Sequence, residues 1–234
     1  MNARAEPTLT YAGYLHLSEI LNAQHPLVPR EQGPGVWAAE HFFVTTHQVF
    51  ELWFKQLLLD LADAAARLLP PNGDAELALD HLQRAASMLR LLVQQMVLFD
   101  HLSPRSFLAF RPYLGSASGS ESAQFREVQR ALGLRGQSAS PAYAAFVAAI
   151  DARGLSLEET YRNPSAAGAL YRVAEALVDI SEQFWQLSAV HVQIAERTIG
   201  RRPGTGGTSG VSYLAETLEG AKAFPELWAV RTRL

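Results

Sequence analysis

Phe42-Phe43-Val44-Thr45-Thr46-His47-Gln48-Val49-Phe50-Glu51-Leu52-Trp53-Phe54-Lys55-Gln56 contains no glycine and no proline, and its apolar positions recur at helical intervals. Phe43, His47, Phe50 and Phe54 follow one another at spacings of three and four, so they share one helix face. The helix predicted around them runs from about Val36 to Leu69. It lies between a loop rich in Pro26, Pro29, Gly33, Pro34 and Gly35 and the breaker Pro70-Pro71-Asn72-Gly73. A histidine among phenylalanines is dry, which favours its neutral form, and a neutral imidazole can accept or donate one hydrogen bond to a buried ligand. Taken alone, His47 reads more readily as a core histidine bonded to a backbone carbonyl.

Outward from this helix the same periodicity dominates and strand signals are weak. A first helix is predicted over about 8–24, its periodic part being Leu9 to Ala23, ending before Pro26. Asp74 reads as the N-cap of a helix reaching about Asp100. Ser103-Pro104 reads as a cap with proline at the first helical position, opening a short helix through Arg111. A loop at 115–120, a helix from Glu121 to Leu132, a loop at 133–140 and helices at about 141–153 and 156–161 follow. Asn163-Pro164 opens a long helix to Ile199. Gly200 to Gly210 is the least helical segment, before a helix near 211–221 and a turn at Pro225 to Trp228. The expected class is all-α: a bundle of long helices with short connections, formed by residues 1–234 as one domain.

Composition narrows the function. At 234 residues and 48% hydrophobic content the chain can bury one sizeable core. A formal net charge of -3 gives no pull toward nucleic acid or an acidic membrane surface. The absence of cysteine excludes disulfides, thiolate metal sites and a cysteine nucleophile, and fits a reducing, cytoplasmic setting. Met1 to Pro7 lacks the apolar core of a signal peptide, and runs such as Leu57 to Leu61 are too short to span a bilayer.

Four further constellations bear on chemistry. Phe107 and Arg111 are spaced i, i+4, putting an aromatic plate beside a guanidinium fork that matches a carboxylate; on spacing alone an ordinary ion pair is the stronger reading. His191 lies on a helix face with Leu187, Ser188, Ile194 and Ala195, the low apolar surround that a flat macrocycle needs around an axial imidazole. No second histidine stands at ligand spacing from it, so zinc is disfavoured, and in isolation a half-buried helix histidine remains the commoner case. Gly204-Thr205-Gly206-Gly207-Thr208-Ser209-Gly210 lacks the lysine of a P-loop and follows no strand. It reads as a lid or binding loop, or as a plain loop. Tyr11, Tyr14 and Leu15 share one helix face, more often a core stripe than a site.

Together and in this order these stretches resemble the tryptophan 2,3-dioxygenase family. Thr10-Tyr11-Ala12-Gly13-Tyr14-Leu15 with Leu21-Asn22-Ala23-Gln24-His25-Pro26 is similar to its entry helix, and His47 to Gln56 to its most specific signature. Phe110-Arg111-Pro112-Tyr113-Leu114, Ala117-Ser118-Gly119 and Gln124-Phe125-Arg126 resemble its substrate-arginine segment. His191, Glu196-Arg197-Thr198-Ile199-Gly200 and the glycine-rich run resemble its haem histidine and the following loop, and Phe224-Pro225-Glu226-Leu227-Trp228 its bacterial ending. The resemblance implies haem b, with His191 as proximal iron ligand and His47 as the distal histidine bonding the indole N–H. It implies Arg111 on the substrate carboxylate, Thr205 on the amino-acid end, and Phe43, Phe107, Leu114 and Ser118 around the indole. Tyr11, Tyr14 and Leu15 would reach in from a neighbouring subunit of a homo-oligomer, a tetramer or dimer. The implied reaction takes a tryptophan-like substrate and dioxygen, opens the indole C2=C3 bond and gives an N-formylkynurenine-type product.

The chain departs from the family pattern at three places. It is short, the missing length falling between the Arg111 segment and His191. Trp185-Gln186-Leu187-Ser188-Ala189-Val190 has no arginine where the family places arginines and a tryptophan before its proximal histidine. Ser118-Gly119-Ser120-Glu121-Ser122 carries serine where the family has phenylalanine. The substrate expected is L-tryptophan or a ring- or β-substituted tryptophan, the latter as in compact relatives of secondary metabolism. The alternatives are a haem monooxygenase giving an oxindole, and a non-catalytic haem or indole binder.

Overall fold

The computed structural model describes residues 9–134 and 139–234; residues 1–8 and 135–138, which hold the start of the expected first helix and part of the expected 133–140 loop, lie outside them. The described residues form α- and 3-10 helices and no strand, as the periodicity predicts. In chain order the α-helices are α1 (Tyr11–Tyr14), α2 (Leu17–Leu21), α3 (Pro34–Leu68), α4 (Ala75–Gln95), α5 (Pro104–Phe110) and α6 (Ala123–Ala131). They continue as α7 (Pro141–Asp151), α8 (Leu157–Arg162), α9 (Pro164–Ala167), α10 (Ala169–Ile199), α11 (Val211–Glu219) and α12 (Pro225–Val230).

The frame is α3, α4 and α10, with α7 packed on α3 and α10. Along α10, Leu170, Val173, Ala174, Leu177, Ile180, Ser181, Phe184 and Leu187 are buried at helical spacing. They meet Leu79, Leu82, Ala86, Leu89 and Leu92 of α4 and Leu57, Leu61, Ala64 and Leu68 of α3 in one core. Asp74 caps α4 as expected, accepting from the Leu77 N–H at 3.0 Å. Pro34 starts α3, and Pro70-Pro71, which supply no N–H, follow its end. The buried Asp60 of α3 accepts from Gln56, His81 and Arg84, locking α3 to α4. At the far end Arg231 ties α12 to Glu175, and Trp228 Nε1 donates to Ser181 Oγ at 3.1 Å. No helix among the described residues is long and apolar enough to cross a membrane.

Several boundaries differ from the sequence reading, each for a local reason. The first helix, expected over about 8–24, is two short helices broken at His16, whose φ of 52° is left-handed. Two such short pieces have little core to pack on: Tyr11 and Tyr14 are 77% and 67% exposed. The helix expected to reach Asp100 becomes a 3-10 turn at Met96–His101. Pro104 opens α5, but the Ser103 side chain makes no capping bond, and the helix gives way at Arg111–Leu114 to a 3-10 turn containing Pro112. The helix expected from Glu121 starts at Ala123, after a 3-10 turn Gly119–Glu121 held by a reciprocal Ser118–Glu121 capping box. The long helix opened by Asn163-Pro164 is interrupted at Gly168, where φ is 58°.

Candidate functional site

His47 and His191 stand on the two longest helices, α3 and α10, close enough for His47 to influence the titration of His191. Both rings can be reached by water, yet both are surrounded by enough protein for burial to be the leading influence on their titration. Neither is lodged in the packed core. Burial, reinforced by charge from His47, pushes His191 down to about 4. Burial also lowers His47, opposed by the Phe43 carbonyl and by Glu51. Both imidazoles are thus neutral at ordinary pH.

His47 Nδ1 lies 2.8 Å from the Phe43 carbonyl oxygen one turn earlier. A carbonyl can only accept, so in the neutral ring Nδ1 carries the hydrogen and donates it. Nε2 is then left as an acceptor. Aromatic rings surround this imidazole: Phe43 at 4.1 Å between centroids and Phe99 edge-on at 5.5 Å. Behind them Phe43 packs on Phe107 at 5.8 Å and on Phe110 at 5.5 Å. Sequence reasoning missed Phe99, because its placement depends on the switch to 3-10 geometry at Met96.

His191 has no hydrogen-bonding partner among the described residues. Ser188, three residues earlier, turns its hydroxyl to the Phe184 carbonyl at 3.0 Å. Trp185 turns instead toward Lys222, whose ammonium lies 5.7 Å from its ring. No cluster of three or more histidine, cysteine or acidic side chains that could hold a metal exists among the described residues. A single neutral imidazole with small and apolar neighbours suits iron whose other in-plane ligands come with the cofactor, so the donor set fits haem.

The second part of the site is a cleft of about 340 Å³ lined by Leu108, Arg111, Pro112, Gly115, Gly204 and Thr205. It brings together Arg111 and Thr205, 94 positions apart in the chain, as the resemblance implies. Thr205 Oγ1 donates to the Ala117 carbonyl at 2.6 Å, and the Arg111 guanidinium donates to the Pro203 carbonyl. Gly206 approaches so closely that a Cβ there would lie 2.7 Å from Ser118 Cβ. The glycine-rich segment is therefore docked on the 115–120 loop. Leu114, half-buried in the turn that carries Arg111, packs on the core. Phe107 and Arg111, on adjoining turns, link this cleft to the aromatic cluster of His47. Tyr11, Tyr14 and Leu15 enter neither group: they lie on the arm formed by α1 and α2. A groove of about 390 Å³ between the 3-10 turn and α10, lined by Met96, Val97, Val190, Ile194 and Arg197 among others, contains neither histidine.

The family model described as tryptophan 2,3-dioxygenase matches residues 1–155 and 148–234 of this chain. Tryptophan 2,3-dioxygenase of Caulobacter vibrioides is 35% identical over 269 residues, covering 97% of this chain and 98% of the relative. The enzymes of the same name from Anaeromyxobacter dehalogenans and Herpetosiphon aurantiacus are 37% and 36% identical, each over 97% of this chain and 96% and 98% of the relative. The aligned spans exceed the 234 residues of this chain, so the relatives carry length that it lacks. The two matched stretches meet at 148–155, which places the shortening at the turn between α7 and α8. Coverage at both ends, with the fold and the paired histidines, shows that the chain belongs to the tryptophan 2,3-dioxygenase family of haem-dependent oxidoreductases.

Proposed function

We propose that this chain dioxygenates the indole ring of L-tryptophan, or of a ring- or β-substituted tryptophan, with haem held by His191. The observation that carries the reading is the state of His47: Nδ1 is committed to the Phe43 carbonyl and Nε2 is free to accept, inside an aromatic wall near His191. An indole presents one N–H donor on an apolar body, which is the complement of that wall. Arg111 takes the substrate carboxylate bidentately in place of the Pro203 carbonyl, and Thr205 holds the ammonium or carboxylate end. Phe43, Phe107, Leu114 and Ser118 bound the ring. Bound haem supplies the dioxygen chemistry that side chains lack. The chain's contribution is to fix both ends of the substrate, so that the C2=C3 bond is held for reaction, and to keep His47 neutral.

In the assembled protein, Tyr11, Tyr14 and Leu15 complete the pocket of a neighbouring copy in a dimer or tetramer. The exposure of Tyr11 and Tyr14 on the N-terminal arm supports this reading. The uncharged surround of His191, with Ser188 turned to its own helix and Trp185 drawn toward Lys222, supports an alternative in which one oxygen is inserted and an oxindole forms. Product mass under labelled dioxygen, measured with L-tryptophan and with β-substituted analogues, decides between them. Two labelled atoms in one ring-opened product are expected, and a single labelled atom refutes dioxygenation. Replacement of His191 by alanine is expected to abolish stoichiometric haem retention; normal occupancy would remove it as the iron ligand.

A further inference from the structure

Phe99 stands at the join of the two histidine-bearing helices. After Gln95 the chain tightens from α-helix to a 3-10 turn, with three residues per turn. That period stacks Met96, Phe99 and Leu102 on one face, and all three are buried at 4%, 8% and 5% exposure. The intervening Val97, Leu98, Asp100 and His101 are exposed. Phe99 thereby points at α3, where its ring meets Phe42 at 6.2 Å, Phe43 at 6.4 Å and His47 at 5.5 Å, each edge-to-face. The next residue, Asp100, is paired with Arg197 of α10 at 2.5 Å. One short turn is thus tied to both helices.

Among the described residues, the ring contacts of His47 are with Phe43, on its own helix, and with Phe99, from outside it. The hydrogen bond to the Phe43 carbonyl anchors one nitrogen but is local to α3, so by itself it leaves the ring able to swing outward toward water. An edge-on aromatic neighbour removes that freedom sterically and through the quadrupole preference for perpendicular packing. We propose that Phe99 is a positioning residue, whose ring holds His47 in the one orientation that offers Nε2 to the ring N–H of the substrate. This inference rests on the reading of His47 as the acceptor for that N–H.

The test compares binding of L-tryptophan and N1-methyl-L-tryptophan, which has no N–H to donate, to haem-loaded protein by calorimetry. The ratio of the two affinities reads the N–H bond plus a steric contribution, and the ratio in His47→Ala isolates the steric part. Wild type is expected to exceed His47→Ala by about three- to ten-fold, the weight of one buried hydrogen bond. Phe99→Met keeps most of the buried volume but not the rigid edge. It is expected to lose most of that excess while haem occupancy and Tm stay near wild type, and to change nothing further in the His47→Ala background. Phe99→Leu serves the same purpose should Phe99→Met fail to retain haem. An unchanged ratio in these variants, with the excess lost in His47→Ala, overturns the role of Phe99 and leaves that of His47 standing. A ratio that persists in His47→Ala overturns the reading of His47, and this inference with it. An effect of Phe99→Met undiminished in the His47→Ala background means direct contact with substrate and overturns positioning.

Discussion

A histidine that must accept a hydrogen bond has to stay unprotonated, and His47 is kept so by its surroundings. Burial lowers its pKa below the ordinary 6.5, and protonation would turn Nε2 from acceptor to donor. Tryptophan affinity is therefore expected to be flat as pH falls to 6.5 and to drop only below it, as the lowered pKa is crossed. The same shift acts on stability. The unfolded chain binds its proton first, so stability also declines as pH falls from 6.5 toward that lowered value. A pH titration of Kd checks the first point; a midpoint at or above 6.5 would mean that the ring is hydrated. Arg111 works at the other end of the substrate. Replacing it with alanine should weaken tryptophan binding by about 1.5–3 kcal/mol, the weight of one charge-assisted hydrogen bond, and leave plain indole almost untouched. Equal losses for both ligands would place the carboxylate elsewhere.

At the scale of elements, the glycine-rich segment behaves as a fitted part. Its glycines have distinct jobs: Gly210, with φ 71°, starts α11 where a Cβ would lie 2.4 Å from the Arg202 carbonyl oxygen, and Gly206 rests against Ser118. Gly206→Ala should lift the segment from the 115–120 loop and weaken tryptophan binding several-fold through Thr205, while haem content stays normal. Haem loss in that variant would give the segment a part in holding the cofactor. Much of this was legible beforehand. Phe43 and His47 fall together because i, i+4 spacing survives in any α-helix, whereas the contact of Phe43 with Phe107 of α5 and the meeting of Arg111 with Thr205 are tertiary and are suggested beforehand only by the family resemblance. Two things were hidden. The tightening at Met96 leaves no mark in the apolar pattern: Met96 belongs to either period, and only Phe99 and Leu102 reveal the change. The break at His16 is equally silent, since a left-handed non-glycine residue has no compositional signal. The arm it kinks is anchored further along, where the buried Glu40 carboxylate accepts from the N–H groups of Leu27 and Val28 at 3.0 and 2.7 Å.

For the molecule as a whole, the site and the core share one rod. At 1.5 Å per residue the 35 residues of α3 span about 52 Å. The half that carries His47 contributes only Glu40 and Thr46 to the buried set, whereas the later half contributes Phe54, Leu57, Asp60, Leu61, Ala64 and Leu68. Beside it, α7 packs on α3, and Ser140 and Ser156 cap the starts of α7 and α8 on either side of the shortened turn. Backbone amides in a single continuous helix should therefore not be equally protected. Those from Phe54 to Leu68 are expected to exchange with deuterium only through global unfolding, and those from Val36 to Phe50 through a smaller opening of lower free energy. Adding haem and tryptophan should slow the second group, because its opening releases them, and should slow the first group as well, because global unfolding releases them too. Uniform exchange along α3, with or without ligand, would contradict this. If the gradient holds, the half of the helix that meets the substrate acquires its rigidity from what it binds.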